Sequence, residues 1–229
     1  AELGGEFVEG LLVSSGGDLD KAKSLFAQFG RVWAPVIAGW ADWVRTRYQG
    51  PTAVVLRDAQ PITLTSHAQS WQRVFINRPL LGIRDELSGE DGAYQPPMQA
   101  YLASAGIIPA VQFGFVDTGC YGTVLLRLVQ LGYRPLPLFF FSKNPAIPSF
   151  LGSLGIGSDE GTVLNDSLEC AFPHRLRRPV EFCREEVGPR PKLKDSDFLS
   201  AMFGEAAMRG LREGLGAVVT RPPAGVAEL

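Results

Sequence analysis

The sequence predicts an α/β protein: an open, mostly parallel sheet with helices on both faces, a helical N-terminal lead-in and a closing C-terminal helix. Three observations carry that expectation. Thr52 to Leu56 (TAVVL) is a short β-branched run without polar alternation, the pattern of a strand buried on both faces. Between Ala110 and Gly132 an apolar run (Val111, Phe113, Phe115, Val116) stops at Asp117. It turns through Thr118-Gly119-Cys120-Tyr121-Gly122-Thr123 and resumes as a second apolar run, giving strand, tight turn and helix start. Strand-like and helix-like segments then alternate, which argues for parallel pairing covered on both sides.

With 229 residues, 45% hydrophobic and 20% charged, the chain can bury one substantial core. It reads as a single domain: lead-in 1–50, ligand-binding core 51–145, helical and loop cover 146–220, tail 221–229. In the lead-in, Asp18 is placed as an N-cap before a helical stripe of Leu19, Ala22, Leu25, Phe26 and Phe29, with Gly30 as its stop. A second helix carries Trp33, Val36, Ile37, Trp40, Trp43 and Val44 on one stripe. Three tryptophans so spaced are read as core packing rather than a ligand-stacking surface. Gly50-Pro51 ends that helix.

The strand at Thr52 to Leu56 runs into Arg57-Asp58-Ala59-Gln60-Pro61, and a weakly helical segment covers Thr65 to Trp71. Arg73 to Ile76 is the next strand, ending in Asn77-Arg78-Pro79. Glu86 to Pro97 is polar and rich in turn formers, a loop that serves either as a lid or as plain surface. Pro97 suits the first turn of a helix carrying Met98, Tyr101 and Leu102. Val124 to Leu131, apolar almost all round, is expected to be a helix sandwiched between sheet and neighbours. Leu136 to Phe141 (LPLFFF) is expected as a further buried strand, nearer an edge because of Pro137, and it ends in Ser142-Lys143-Asn144. Ser149 to Gly161 reads as loop and Thr162 to Cys170 as a helix carrying Glu169 inward. His174 to Arg190 is basic and proline-broken, but Glu181, Glu185 and Glu186 interleave, so it reads as solvated surface. Asp195 to Leu215 closes the fold as a helix capped by Asp195 or Ser196, and Arg221 to Leu229 reads as a frayed tail.

A net charge of −2 gives no global reason to expect nucleic acid or an acidic membrane surface as partner. The three cysteines Cys120, Cys170 and Cys183 show neither disulfide framework nor metal spacing. With no membrane-length apolar run and no signal-like start, a cytoplasmic setting is expected.

Candidate chemistry gathers at strand ends: Arg57/Asp58, Asn77/Arg78, Asp117 to Thr123 and Ser142/Lys143. In a parallel sheet these meet at one edge. There they offer cations for phosphates, carboxylates for sugar hydroxyls or Mg²⁺, and glycines that let backbone approach a ligand. Cys120 could instead serve as a nucleophile with His67 or His174 as base, the chemistry of a thiol hydrolase; a small residue in a tight turn explains it as well.

FGFVDTGCYGT (Phe113 to Thr123) and VVLRDAQP (Val54 to Pro61) resemble, respectively, the ribose-phosphate loop and the pyrophosphate loop of the phosphoribosyltransferase fold, over about Thr52 to Asn144. One acid, Asp117, stands where that family usually carries two. The resemblance implies a transferase that moves ribose phosphate from a pyrophosphate-activated donor to a small acceptor. Asp117, Asp58 and Arg57 would be the catalytic groups, with Thr118, Gly119, Cys120, Tyr121, Gly122, Thr123, Arg78 and Lys143 binding phosphates. Asp58 and Asp117 would hold Mg²⁺, and Glu86 to Pro97 falls where the family has a flexible hood. The implied partner is a phosphorylated sugar or nucleotide, with a homodimer left open; a non-catalytic module that senses such a ligand is the alternative. The order RVWAPVIAGWADWV, VVLRDAQPI, NRP, VDTGCYGT also looks like the C-terminal domain of predicted haloacid-dehalogenase-like proteins of polysaccharide gene clusters. The Asp-based phosphatase motif of that family is missing here, so this second similarity implies only a domain that handles sugar phosphates or nucleotides.

Overall fold

The computed structural model describes residues 10, 13–56, 58–76, 78–83, 97–172, 181–185, 188–192 and 198–220. The first long element is α1 (Leu19–Arg47), which Asp18 caps as its residue type predicts, its carboxylate accepting from the amides of Asp20 and Lys21 at 2.9 and 3.2 Å. The hydrogen bond from the Lys21 amide, then that from Asp20, holds this carboxyl below its ordinary value of 3.8. A lowered carboxyl stabilises the fold fully above its unfolded value, and that contribution disappears as pH falls through the folded value. Replacing Asp18 with Ala is therefore expected to lower the melting temperature at pH 7 and to flatten its fall below pH ~4; parallel acid-side melts of both chains check this.

Gly30 does not stop the helix. α1 runs unbroken through Gly30 and Pro35, because Gly30 lies where the C-terminal helix α6 (Phe198–Thr220) crosses it. A Cβ on Gly30 would sit 2.0 Å from the Ala207 carbonyl oxygen, and one on Gly210 would sit 1.8 Å from that of Ala27. The glycine is there for close approach, not for its turn-making freedom. Pro35 removes the amide that would bond the Arg31 carbonyl, and that carbonyl faces Gly214 of α6, 3.0 Å from an ideal Cβ there.

The strands that follow are β1 (Thr52–Val55), β2 (Gln72–Val74), β3 (Gln112–Val116), β4 (Gly119–Cys120), β5 (Arg134–Pro137) and β6 (Phe141–Ser142). Between them lie α2 (Pro97–Ser104) and α3 (Thr123–Gln130), with α4 (Phe150–Ser153) and α5 (Ser158–Ala171) after β6. Four strands form an all-parallel sheet in the order β2-β1-β3-β5. The expected α/β class and parallel sheet are thus present, and the edge position foreseen from Pro137 is that of β5.

Side chains alternate between two cores. Val54 and Val116 face α1, α5 and α6, whereas Ala53, Val55, Phe113 and Phe115 face α2 and α3. The α1 tryptophans are core, as their stripe predicts: Trp33 and Trp40 are buried and both contact Phe140, at ring-centroid distances of 5.9 and 5.2 Å. The indole N–H groups of Trp40 and Trp43 find no acceptor among the described residues, so these rings are kept by packing rather than by hydrogen bonds.

Three further expectations are corrected. LPLFFF is not one strand: β5 ends at Pro137, Phe139 makes an isolated bridge to Ser149, and the next strand is β6. Within that gap Phe139 packs into one core and Phe140 into the other. The helix α3 is not covered all round, since Leu126 and Val129 are more than half exposed while Leu125 and Leu128 are buried. The segment expected as loop from Ser149 to Gly161 contains α4, capped by the Ser149 hydroxyl, and the first turn of α5. From the basic stretch to just beyond it, β7 (Glu181–Glu185) and β8 (Gly188–Lys192) pair antiparallel. Of the hood-like stretch Glu86 to Pro97 all but Pro97 lies outside the described residues, as do the proposed caps Asp195 and Ser196 and the tail 221–229.

Candidate functional site at the sheet's carboxyl edge

The chain leaves β1 for β2 on one side, then returns to set β3 on the other side of β1. A reversal of this kind opens a crevice outside the carboxyl ends of the two central strands, where open α/β sheets bind ligands. Val54 pairs with Val116, so Asp58 and Asp117 follow the ends of hydrogen-bonded neighbours. Arg78 follows β2, the next strand over. Three of the expected strand-end groups therefore share one edge. Arg57 and Asn77 lie outside the described residues.

The loop after β3 is built by two glycines and a second strand pair. Phe140 and Phe141 donate their amides to the carbonyls of Asp117 and Thr118, each at 3.0 Å, which seeds the parallel pairing of β4 with β6. Gly119 adopts φ 98°, and a Cβ there would lie 2.3 Å from the Phe141 carbonyl oxygen; only glycine fits both demands. Gly122, at φ 71°, opens α3 with no side chain capping it. The first amides of α3 are thus not taken up by a cap, the usual seat for an anion.

The same strand pair brings Lys143 to the loop, its ammonium 5.2 Å from the centroid of the Tyr121 ring. Thr118 is buried, and two of its groups are already engaged. Its amide donates to Asp117 Oδ1 at 2.9 Å, and its hydroxyl to Glu169 Oε1 at 2.8 Å. Asn165 Nδ2 donates to the same oxygen at 2.9 Å, while Asn165 Oδ1, in a residue 2% exposed, has no partner among the described residues. Glu169 points inward as its helix position predicts. Asn165 escapes a sequence reading, although its spacing of four from Glu169 on a helix is the signal that would have joined them.

Of the two bases expected for a thiol hydrolase, His67 has its Nε2 3.1 Å from Asp42 Oδ1, while Cys120 lies in β4. His174 lies outside the described residues.

Among the described residues no three His, Cys, Asp or Glu side chains cluster as a metal site. Asp58 and Asp117, which follow adjacent strands, are the residues that could hold Mg²⁺, an ion commonly bound by one or two carboxylates together with waters and substrate phosphates. No helix among the described residues is long and apolar enough to cross a membrane. Compared with known proteins, the chain matches no family, no curated protein and no solved structure.

Proposed function

We propose that this protein is a phosphoribosyltransferase-type enzyme, transferring ribose phosphate from a pyrophosphate-activated donor to a small nitrogenous acceptor. The observation that carries the reading is the placement of Asp58 and the Asp117 to Thr123 loop at the carboxyl ends of paired strands, where the sheet order reverses. In this reading Asp117 holds the ribose hydroxyls and the uncapped start of α3 takes the 5-phosphate. Thr118, engaged on both sides by protein, fixes the loop's shape. Lys143 and Arg78 supply positive charge at the rim, and Arg57 with Asp58 orients the pyrophosphate. Mg²⁺, when bound, neutralises pyrophosphate charge. As the anomeric carbon loses its bond to pyrophosphate, which departs with the electron pair, the acceptor nitrogen bonds to that carbon and releases its proton. Carboxylates at the edge stabilise the positive charge that develops on the sugar.

Isothermal titration with phosphoribosyl pyrophosphate and Mg²⁺ tests this. Saturable binding is expected, weakened about tenfold or more by Asp117→Asn, the worth of a hydrogen bond to a charged group, with turnover over a panel of nitrogenous bases. Binding without turnover would favour a sensor that uses the same crevice. Absence of heat would remove both.

A further inference from the structure

A cavity of about 540 Å³ lies beside α6, lined in part by Lys23 of α1, Gln60, Phe172, Met202, Arg209 and Arg212. Its volume is that of a small-molecule site rather than of a protein interface. Two chemistries meet in it. Arg209 and Arg212 stand three residues apart on α6, and among the described residues neither takes part in a salt bridge. Lys23 adds a third cation from α1, tied among the described residues only to the exposed Asp20 at 3.3 Å. Glu205 is the single acid among the described residues of the lining. Phe172 and Met208 are buried and Met202 is partly buried, so the lining also carries apolar and polarizable side chains. Gln60, which lines the cavity, follows Asp58 by two residues in the chain.

We infer that this cleft binds a small organic anion, a carboxylate or phosphate carried on a flat apolar body. The guanidinium groups take the anion, for which their planar forks are suited, and the body lies against Phe172 and the two methionines. Inorganic phosphate would leave the apolar side chains wet, and a neutral aromatic would leave the arginines unneutralised. None of these residues belongs to the loop after β3, so the inference goes beyond the function proposed above and is tested separately from it.

The chain's three methionines supply the measurement. Met202 and Met208 line the cavity, whereas Met98 sits in the core on the other face of the sheet. With methyl-¹³C methionine, titration with phenyl phosphate or benzoate is expected to shift the Met202 and Met208 signals saturably and leave Met98 still. Benzyl alcohol at equal concentration should shift them far less. The Arg209→Gln/Arg212→Gln chain is expected to bind both anions about tenfold or more weakly, the loss typical of a charge-assisted hydrogen bond. Lys23→Gln provides a second, milder variant on the other helix. Unmoved Met202 and Met208 signals, equal shifts with the neutral compound, or unchanged affinity in the arginine variant with native melting behaviour would overturn the inference.

Discussion

A Gly210→Val chain is expected to lose ~3 kcal/mol or more of folding stability, since overpacking against a rigid neighbour costs about that much. At this size each kcal/mol moves the melting temperature by about 2–4 °C, so a fall of roughly 6–12 °C is expected by calorimetry. The added side chain has nowhere to go: an ideal Cβ on Gly210 already lies 1.8 Å from the Ala27 carbonyl oxygen, and backbone cannot swing aside as a side chain can. Either α6 lifts away from α1 or its last turns unwind, and either motion uncovers the core that holds Ala207, Leu211 and Leu215. Helix propensity pulls the other way by only about 0.5–1 kcal/mol even for Gly→Ala, so the clash wins. Gly216, four residues short of the helix end, isolates that opposing term, because a Cβ there meets nothing within 4 Å. Gly216→Ala is expected to raise stability by up to about 1 kcal/mol. If both substitutions moved the melting temperature in the same direction, the close crossing would not be what these glycines serve.

That crossing also shows where residue patterns stop being informative. Glycine after an apolar stripe means a stop when the chain must turn and a contact point when another helix crosses. Only Ala207 and Leu211, remote in sequence, decide between the two at Gly30. What depends on nearest neighbours was legible: Asp18 as a cap, TAVVL as a buried strand, and the strand-turn-helix from Gln112 to Gln130. The sharing of one edge by Asp58, Arg78 and Asp117 followed from alternation, because strands joined by long connections pair in parallel. The split of LPLFFF was not legible, since Phe139 and Phe140 satisfy a strand pattern while serving opposite cores outside the sheet. The cation-lined cleft was invisible for the same reason as the crossing. Lys23 and Arg209 look like ordinary surface charges until α1 and α6 bring them together.

Removing the Glu169 carboxylate is expected to cost ~2–6 kcal/mol, because two buried donors lose their acceptor at once and each orphaned group costs about 1–3 kcal/mol. Those donors are the Thr118 hydroxyl and the Asn165 amide, both on Glu169 Oε1 and both in residues 2% exposed. Glu169→Ala is therefore the severe variant. Glu169→Gln keeps an acceptor oxygen and is expected to retain most of the stability. Thr118→Val removes one donor and its need together, so it should cost less than the truncation. Combined with Glu169→Ala, it should recover about 1–2 kcal/mol against the sum of the single changes, the coupling expected of residues in contact. Chemical denaturation of the four chains closes this cycle, and strict additivity would show that the hydroxyl and carboxylate do not act on each other. Ligand affinity adds a second readout that stability alone would not move. Thr118 is held from one side by Glu169 of α5 and from the other by the carboxylate of Asp117, so releasing it frees the start of the loop that runs on to Gly122 and α3. In a chain still folded at the temperature of measurement, Glu169→Ala should then weaken phosphoribosyl pyrophosphate binding although residue 169 touches no ligand in the proposed arrangement, and Glu169→Gln should restore it.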